Sequence, residues 1–183
     1  MAVIIIVIAI VVVLAAWFVS IYNGIVRKDN RCDNAWQTID AQLQRRSDLI
    51  PNLVETVKGY AAHESGTLTA VTQARAAVMS ARTPEEKMAA SNVLSDTLKS
   101  LFAVSEAYPE LKANANFQQL QSELSDTENK ISYARMSFND CVLEYNNAIE
   151  TFPGNVGAGS KFMERQGFEV QSEAARQAPQ VKF

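Results

Sequence analysis

The apolar positions are unevenly spread, and the first stretch is nearly solid. Ala2 to Val19 is almost wholly Ala, Val, Ile, Leu, Trp and Phe, and no charged side chain occurs from Met1 to Val26. About 20 apolar residues at ~1.5 Å rise cross the ~30 Å hydrocarbon layer of a bilayer. Valine and isoleucine favour strands in water, but in lipid every backbone polar group must be satisfied internally, which forces a helix. Trp17 and Tyr22 fall near one end, where amphipathic rings prefer the headgroup level. A cleaved signal peptide would want basic residues before the apolar run and a small-x-small site after it. Only Met1 precedes the run, and Val13-Leu14-Ala15 and Leu14-Ala15-Ala16 are poor sites. Residues 1–26 are expected to be an uncleaved anchor.

Beyond the anchor the pattern becomes helical. Trp36, Ile39, Leu43, Ile50, Val54, Val57 and Ala61 step by three, four or seven, the stripe of an amphipathic helix. The stripe keeps its register across Pro51, where a proline removes one hydrogen bond and crowds the carbonyl of Ser47. Two outcomes stay open, a bend in one helix or a new helix capped by Asp48. A further stripe follows after Glu64-Ser65-Gly66: Leu68, Val71, Ala74, Val78 and Ala81. Thr83-Pro84-Glu85-Glu86 is a start signal, with Thr83 as N-cap, Pro84 in the first turn and Glu86 closing a capping box. The helix it opens carries Met88, Leu94, Leu98, Leu101 and Phe102, and stops near Tyr108 ahead of Pro109.

The longest pattern runs Phe117, Leu120, Leu124, Thr127, Ile131, Ala134, Phe138, Cys141, Tyr145, Ala148 and Phe152 in alternating steps of three and four. That heptad spacing predicts a long helix packed along neighbours in coiled-coil fashion. Asn114 or Asn116 caps its start and Pro153-Gly154 ends it. The helix beginning near Tyr22 is the partner long enough to match it. After Gly154, glycines 157, 159 and 167, Pro179 and many polar residues read as an irregular tail, with Phe162 and Phe168-Glu169 able to dock it. The expected organisation is thus all-α: an anchor over 1–26, an elongated antiparallel helical bundle over 27–152 and a tail over 153–183.

Composition narrows the function. The net charge is −3 and no segment is strongly basic, which argues against nucleic acid as a partner. Arg27, Lys28 and Arg31 follow the anchor while nothing basic precedes it, so the positive-inside rule places the N-terminus outside and the soluble part in the cytoplasm. Cys32 and Cys141 form no C-x-x-C pair, and His63 is the single histidine, so one chain assembles no zinc-type ligand set. The two thiols read as small hydrophobes, with a disulfide as the alternative.

Candidate chemistry is sparse. His63-Glu64 begins a metalloprotease pattern, but position 67 is Thr67 and no second histidine exists. Di-iron bundles need E-x-x-H, and position 60 is Tyr60. No phosphate-binding glycine loop is present, and the serines have no histidine base. No catalytic residue, cofactor, metal or small-molecule substrate is expected. The densest polar constellation is Arg45, Arg46, Asp48 and Asn52 around Pro51. It reads as a solvated helix face, or as an arginine that caps carbonyls freed by Pro51 or pairs with a glutamate such as Glu123 or Glu128. A ligand or lipid-headgroup site is a further reading of the same residues. Asn129, Arg135, Asn139 and Asn146 are placed to hydrogen-bond between helices, while Phe138 and Tyr145 anchor the stripe.

Several stretches together resemble the LemA family: Tyr22-Asn23, Ala35-Trp36, Leu43 through Val54 (LQRRSDLIPNLV), Val57-Lys58-Gly59-Tyr60, Ala74-Arg75, Tyr108 through Asn114 (YPELKAN), Leu124 through Ile131 (LSDTENKI) and Tyr145-Asn146. The resemblance implies a bacterial inner-membrane protein with an elongated antiparallel helical domain and implies no activity. Relatives are often encoded near TPM-domain proteins and a heat-shock membrane metalloprotease, and one LemA-like member is associated with magnetosome membranes. The functional expectation is a non-enzymatic, membrane-anchored scaffold or adaptor, or else a regulatory partner of a membrane protease or transporter. Lipid is contacted through residues 1–26. The anchor's bulky Val and Ile associate weakly in lipid, so self-assembly into a homo-oligomer would draw on the soluble helices.

Overall fold

The computed structural model describes residues 1–159 and 161–168. Six helices follow in order: α1 (Ala2–Lys58), α2 (Ser65–Ser80), α3 (Pro84–Ser105), α4 (Pro109–Lys112), α5 (Ala115–Glu150) and α6 (Gly154–Ala158), with no strand among the described residues.

The candidate anchor and the first helix after it are one object. α1 runs 57 residues without interruption, through residue 26 and through Pro51. Its apolar N-terminal window is unburied in the protein and is long and apolar enough to cross a membrane. From Ile25 onward a heptad series takes over: Ile25, Cys32, Ile39, Arg46 and Leu53 are all buried, seven residues apart. This is the period of a helix that keeps one seam on a long partner.

That partner is α5, 36 residues long and capped by Asn114, whose side-chain oxygen accepts from the Phe117 amide at 3.0 Å. The two run antiparallel: Arg31 meets Glu144, Arg46 meets Glu128, and Tyr60 meets Asn114. The expected stripe on α5 is buried at Phe117, Leu124, Thr127, Ile131, Phe138, Cys141 and Tyr145. Its last member is a correction. Phe152 is 76% exposed, because α5 ends at Glu150 and the chain turns before the next heptad position is reached.

The hairpin of α2 and α3 packs on the far half of α1. Thr83 and Glu86 exchange the paired hydrogen bonds of a capping box at the start of α3. The amides of Arg82 and Thr83 both donate to the Glu86 carboxylate and hold its pKa below the ordinary glutamate value. α3 stops at Ser105, and Pro109 starts the one-turn α4, whose Leu111 is buried.

Cys32 and Cys141 are both buried and unbridged, and burial raises the Cys32 thiol pKa. The segment expected to be irregular opens instead with α6. There the carbonyl of Ala148 occupies the space in which a Cβ on Gly154 would stand, so no larger residue fits that turn. Lys161–Phe168 then returns without regular structure along α1 and α5. Glu169 and Pro179 lie outside the described residues.

Candidate functional site

The core is two apolar clusters separated by a polar layer. One gathers Ile50, Leu53 and Val57 with residues of α2, α3 and the start of α5. The other gathers Ile25, Ile39 and Leu43 with Ile131, Phe138 and Tyr145. Between them lie the buried polar residues Arg46, Ser47, Ser91 and Thr127.

Arg46 is the centre of that layer. It is 1% exposed because its heptad position, seven after Ile39, points it into the seam. Its Nη1 donates to Glu128 of α5 and to Ser95 Oγ of α3 at 2.8 Å. Its Nη2 donates to the Ser91 carbonyl at 3.0 Å and to the Ser91 hydroxyl. Burial pushes the Arg46 pKa down, and the Glu128 carboxylate works against that push. One guanidinium thereby ties three helices together, with Nε left unpartnered. Nearby, Arg135 donates to Asn92 Oδ1 at 3.2 Å. Burial lowers its pKa as well, again opposed by Glu128.

The carbonyl freed by Pro51 finds an arginine, though not one of its neighbours in sequence. Pro51 has no N–H to give Ser47, and Arg75 Nε of α2 donates to the Ser47 carbonyl at 2.8 Å. Arg45, Asp48 and Asn52 are exposed, and Asp48 merely accepts from Gln44 at 2.8 Å. The constellation therefore divides: Arg45, Asp48 and Asn52 form a solvated face, while Arg46 pairs with Glu128.

The α5 asparagines correct a second expectation. Asn139 donates to the Phe168 carbonyl at 2.9 Å and accepts from its amide at 2.8 Å. Asn146 does the same to Arg165 at 2.8 and 3.0 Å. They clamp the returning tail and do not bridge helices. The two lie seven residues apart, ~10.5 Å along a helix, close to the ~9.3 Å that three extended residues span. A Cβ at Gly167 would come within 2.9 Å of Asn139 Oδ1, so a larger residue there would displace the clamping amide. Tyr145 is buried and donates to the Met163 carbonyl at 3.0 Å. Phe168 stacks on Phe138 with centroids 4.8 Å apart, and Arg165 bridges Asp29 and Asp33 at 2.7 and 2.8 Å. Asn129 is exposed and joins no bridge between helices.

Asn129 instead borders an open groove of about 680 Å³ between α3 and α5. Leu98, Phe102 and Leu124 line it with Ser95, Gln118 and Ser125, and Glu128 sits at its edge. The exposed His63 is remote in sequence from all of these. Among the described residues no group of three or more His, Cys, Asp or Glu is arranged to hold a metal ion. The arrangement can fix helix register and offer a groove of mixed polar and apolar lining.

A family model described as LemA family matches residues 35–183. The chain belongs to the LemA family. A curated relative, Protein LemA of Metamycoplasma hominis (strain ATCC 23114 / DSM 25592 / NBRC 14850 / NCTC 10111 / PG21), is 27% identical over 139 residues, which are 74% of this chain. They are 62% of that relative, so the LemA-family chain spans less than two thirds of its length. The matched family region covers the seam from Ile39 onward, the polar layer and the clamped tail, and begins after the apolar segment.

Sequence reasoning found Arg46 and Glu128 but missed Ser91, Ser95 and Arg75. The sequence left Arg46 on a solvated face or paired with a glutamate, and its place seven after Ile39 is the signal that marks it for the seam. Nothing in the local sequence marked the other three, since they reach the layer from the α2–α3 hairpin.

Proposed function

We propose that this LemA-family protein is a non-enzymatic, membrane-anchored scaffold or adaptor that works through helix-mediated contacts and self-assembles. The observation that carries the reading is α1 itself. One unbroken 57-residue helix joins an apolar, unburied segment to the seam of the soluble helices, so a contact made by the bundle is mechanically coupled to the anchor. The membrane we infer is the bacterial inner membrane, with the N-terminus outside, in keeping with Arg27, Lys28 and Arg31 after the span. The groove between α3 and α5 favours a second reading, a regulatory partner of a membrane protease or transporter, because it could receive a segment of such a protein.

Crosslinking in intact cells followed by mass spectrometry tests both. Self-crosslinks together with an oligomer by light scattering in mild detergent support the scaffold. A monomer that crosslinks in fixed proportion to one membrane protein replaces it with the regulator. Orientation is read at Gln37→Cys, an exposed position, since Cys32 is buried. A reagent that cannot cross the membrane should label it only after permeabilisation, and prompt labelling from outside reverses the topology.

A further inference from the structure

We propose that the α5–α6 corner, Phe152 to Ala158, is a second membrane contact: a foot that rests in the lipid interface beside the anchor. The inference rests on the reading of residues 1–26 as a span and adds a surface to it. Its basis is depth. A span starting at Ala2 reaches ~27 Å by Val19, so Phe18 and Ile21 straddle the far edge of the ~30 Å hydrocarbon layer. α6 packs on α1 at that level. A Cβ at Gly157 would stand 3.4 Å from Ile21 Cγ2 and 3.8 Å from Phe18 Cε2, so the backbone of α6 lies against the last turn of the span. Whatever covers Phe18 must reach α6 as well.

The chemistry of the corner suits that depth. Phe152, just before α6, is 76% exposed and Val156, within it, 66%, large apolar side chains on a corner whose other face is buried at Gly154 and Ala158. Trp17 and Phe18 of α1 are exposed as well, and Gly157 stands against Phe18, so the corner adjoins the apolar segment. At its lower rim, Lys161 Nζ lies 2.5 Å from the Tyr22 hydroxyl and 5.3 Å from its ring centroid. Phe162 meets Tyr22 edge to face at 5.4 Å. A cation and two aromatic rings below an apolar patch reproduce the order of an interfacial belt. Lipid is thus the occupant that fits, with acyl chains at Phe152 and Val156 and headgroup phosphates at Lys161. Two attachments, one spanning and one interfacial, hold the long α1–α5 rod at a set tilt, which a single span free to tilt in the bilayer would not.

The test uses the full chain in vesicles of phosphatidylethanolamine and phosphatidylglycerol. Spin labels are placed through Leu14→Cys, Val156→Cys and Ser122→Cys, with the unsubstituted chain as background because Cys32 and Cys141 are buried. Collision with oxygen, which partitions into lipid, is compared with collision with a water-soluble nickel chelate. The expected result is an oxygen-to-nickel ratio at position 156 several-fold above that at position 122 and approaching that at position 14. Phe152→Asp should lower the ratio at 156 without changing the melting curve, since residue 152 is exposed. A ratio at 156 equal to that at 122, with 14 in lipid, overturns the foot and leaves the span. Water contact at both 14 and 156 removes span and foot together. Shielding of 156 from both reagents marks a protein partner there and overturns the lipid assignment.

Discussion

Arg46 is almost fully buried while Glu128, its partner, is 51% exposed at the side chain, and the two are therefore not equivalent. Without Arg46, Glu128 can turn to water. Without Glu128, a buried guanidinium keeps its desolvation penalty and loses its counter-charge. Arg46→Met should cost within about 1 kcal/mol, whereas Glu128→Ala should cost ~2–4 kcal/mol. Urea melts of the two variants, and of the double variant, check this. A larger loss for Arg46→Met, or no relief of Glu128→Ala in the double variant, would remove the asymmetry. A second residue-scale expectation concerns Pro51. Arg75→Ala strands the carbonyl of the buried Ser47, worth ~1–3 kcal/mol. In a Pro51→Ala background the new amide N–H at position 51 takes up that carbonyl, so the same change should cost ~1 kcal/mol less. Equal costs in both backgrounds would show that Arg75 acts elsewhere.

At the scale of elements, the seam between α1 and α5 is the largest packing interface. Phe138 sits at its centre, edge to face with Trp36 at a centroid distance of 6.4 Å and stacked on Phe168. Phe138→Asp would place an unpartnered carboxylate among these rings at a cost of several kcal/mol. Ser137→Asp, on the exposed neighbour, should stay within about ±0.5 kcal/mol. Comparable drops in melting temperature for both would mean that the seam is misplaced. Phe138→Asp should also free the tail, raising hydrogen exchange at the Phe168 amide that Asn139 holds.

On the scale of the whole molecule, the candidate span and the bundle share a boundary region and are not serial modules. Ile25 is buried, Ile21 packs on the same cluster, and Tyr22 carries Phe162 and Lys161. A chain cut before Ser20 keeps these contacts. A chain cut after Val26 loses the burial of Ile25 alone, worth ~1.5–3 kcal/mol, along with the docking of Phe162. The shorter chain should melt lower by several degrees in calorimetry and be cleaved sooner by protease near Arg165. Matching melting temperatures would restore residue 26 as a true domain boundary.

The sequence by itself determined the long elements, though not the short α4 and α6. Hydrophobic period, the Thr83–Glu86 capping box, Asn114 and the prolines are local signals, and α2, α3 and α5 begin and end within a few residues of where those signals place them. The apolar run likewise declares a candidate span, because it depends only on composition over length. Heptad spacing also named α5's partner, since only one other helix was long enough. What the tertiary structure decided is which polar groups meet. Arg45 and Arg46 are adjacent in the chain, yet one faces water and the other the seam, a difference of about 100° around a helix. Arg75 reaches Ser47 across 28 positions, and Asn139 and Asn146 read the backbone of a tail with no periodicity of its own. Side chains that bond to a carbonyl or amide leave no mark at the partner's position, because every residue but proline offers the same backbone groups. Such pairings exist only once the helices have packed.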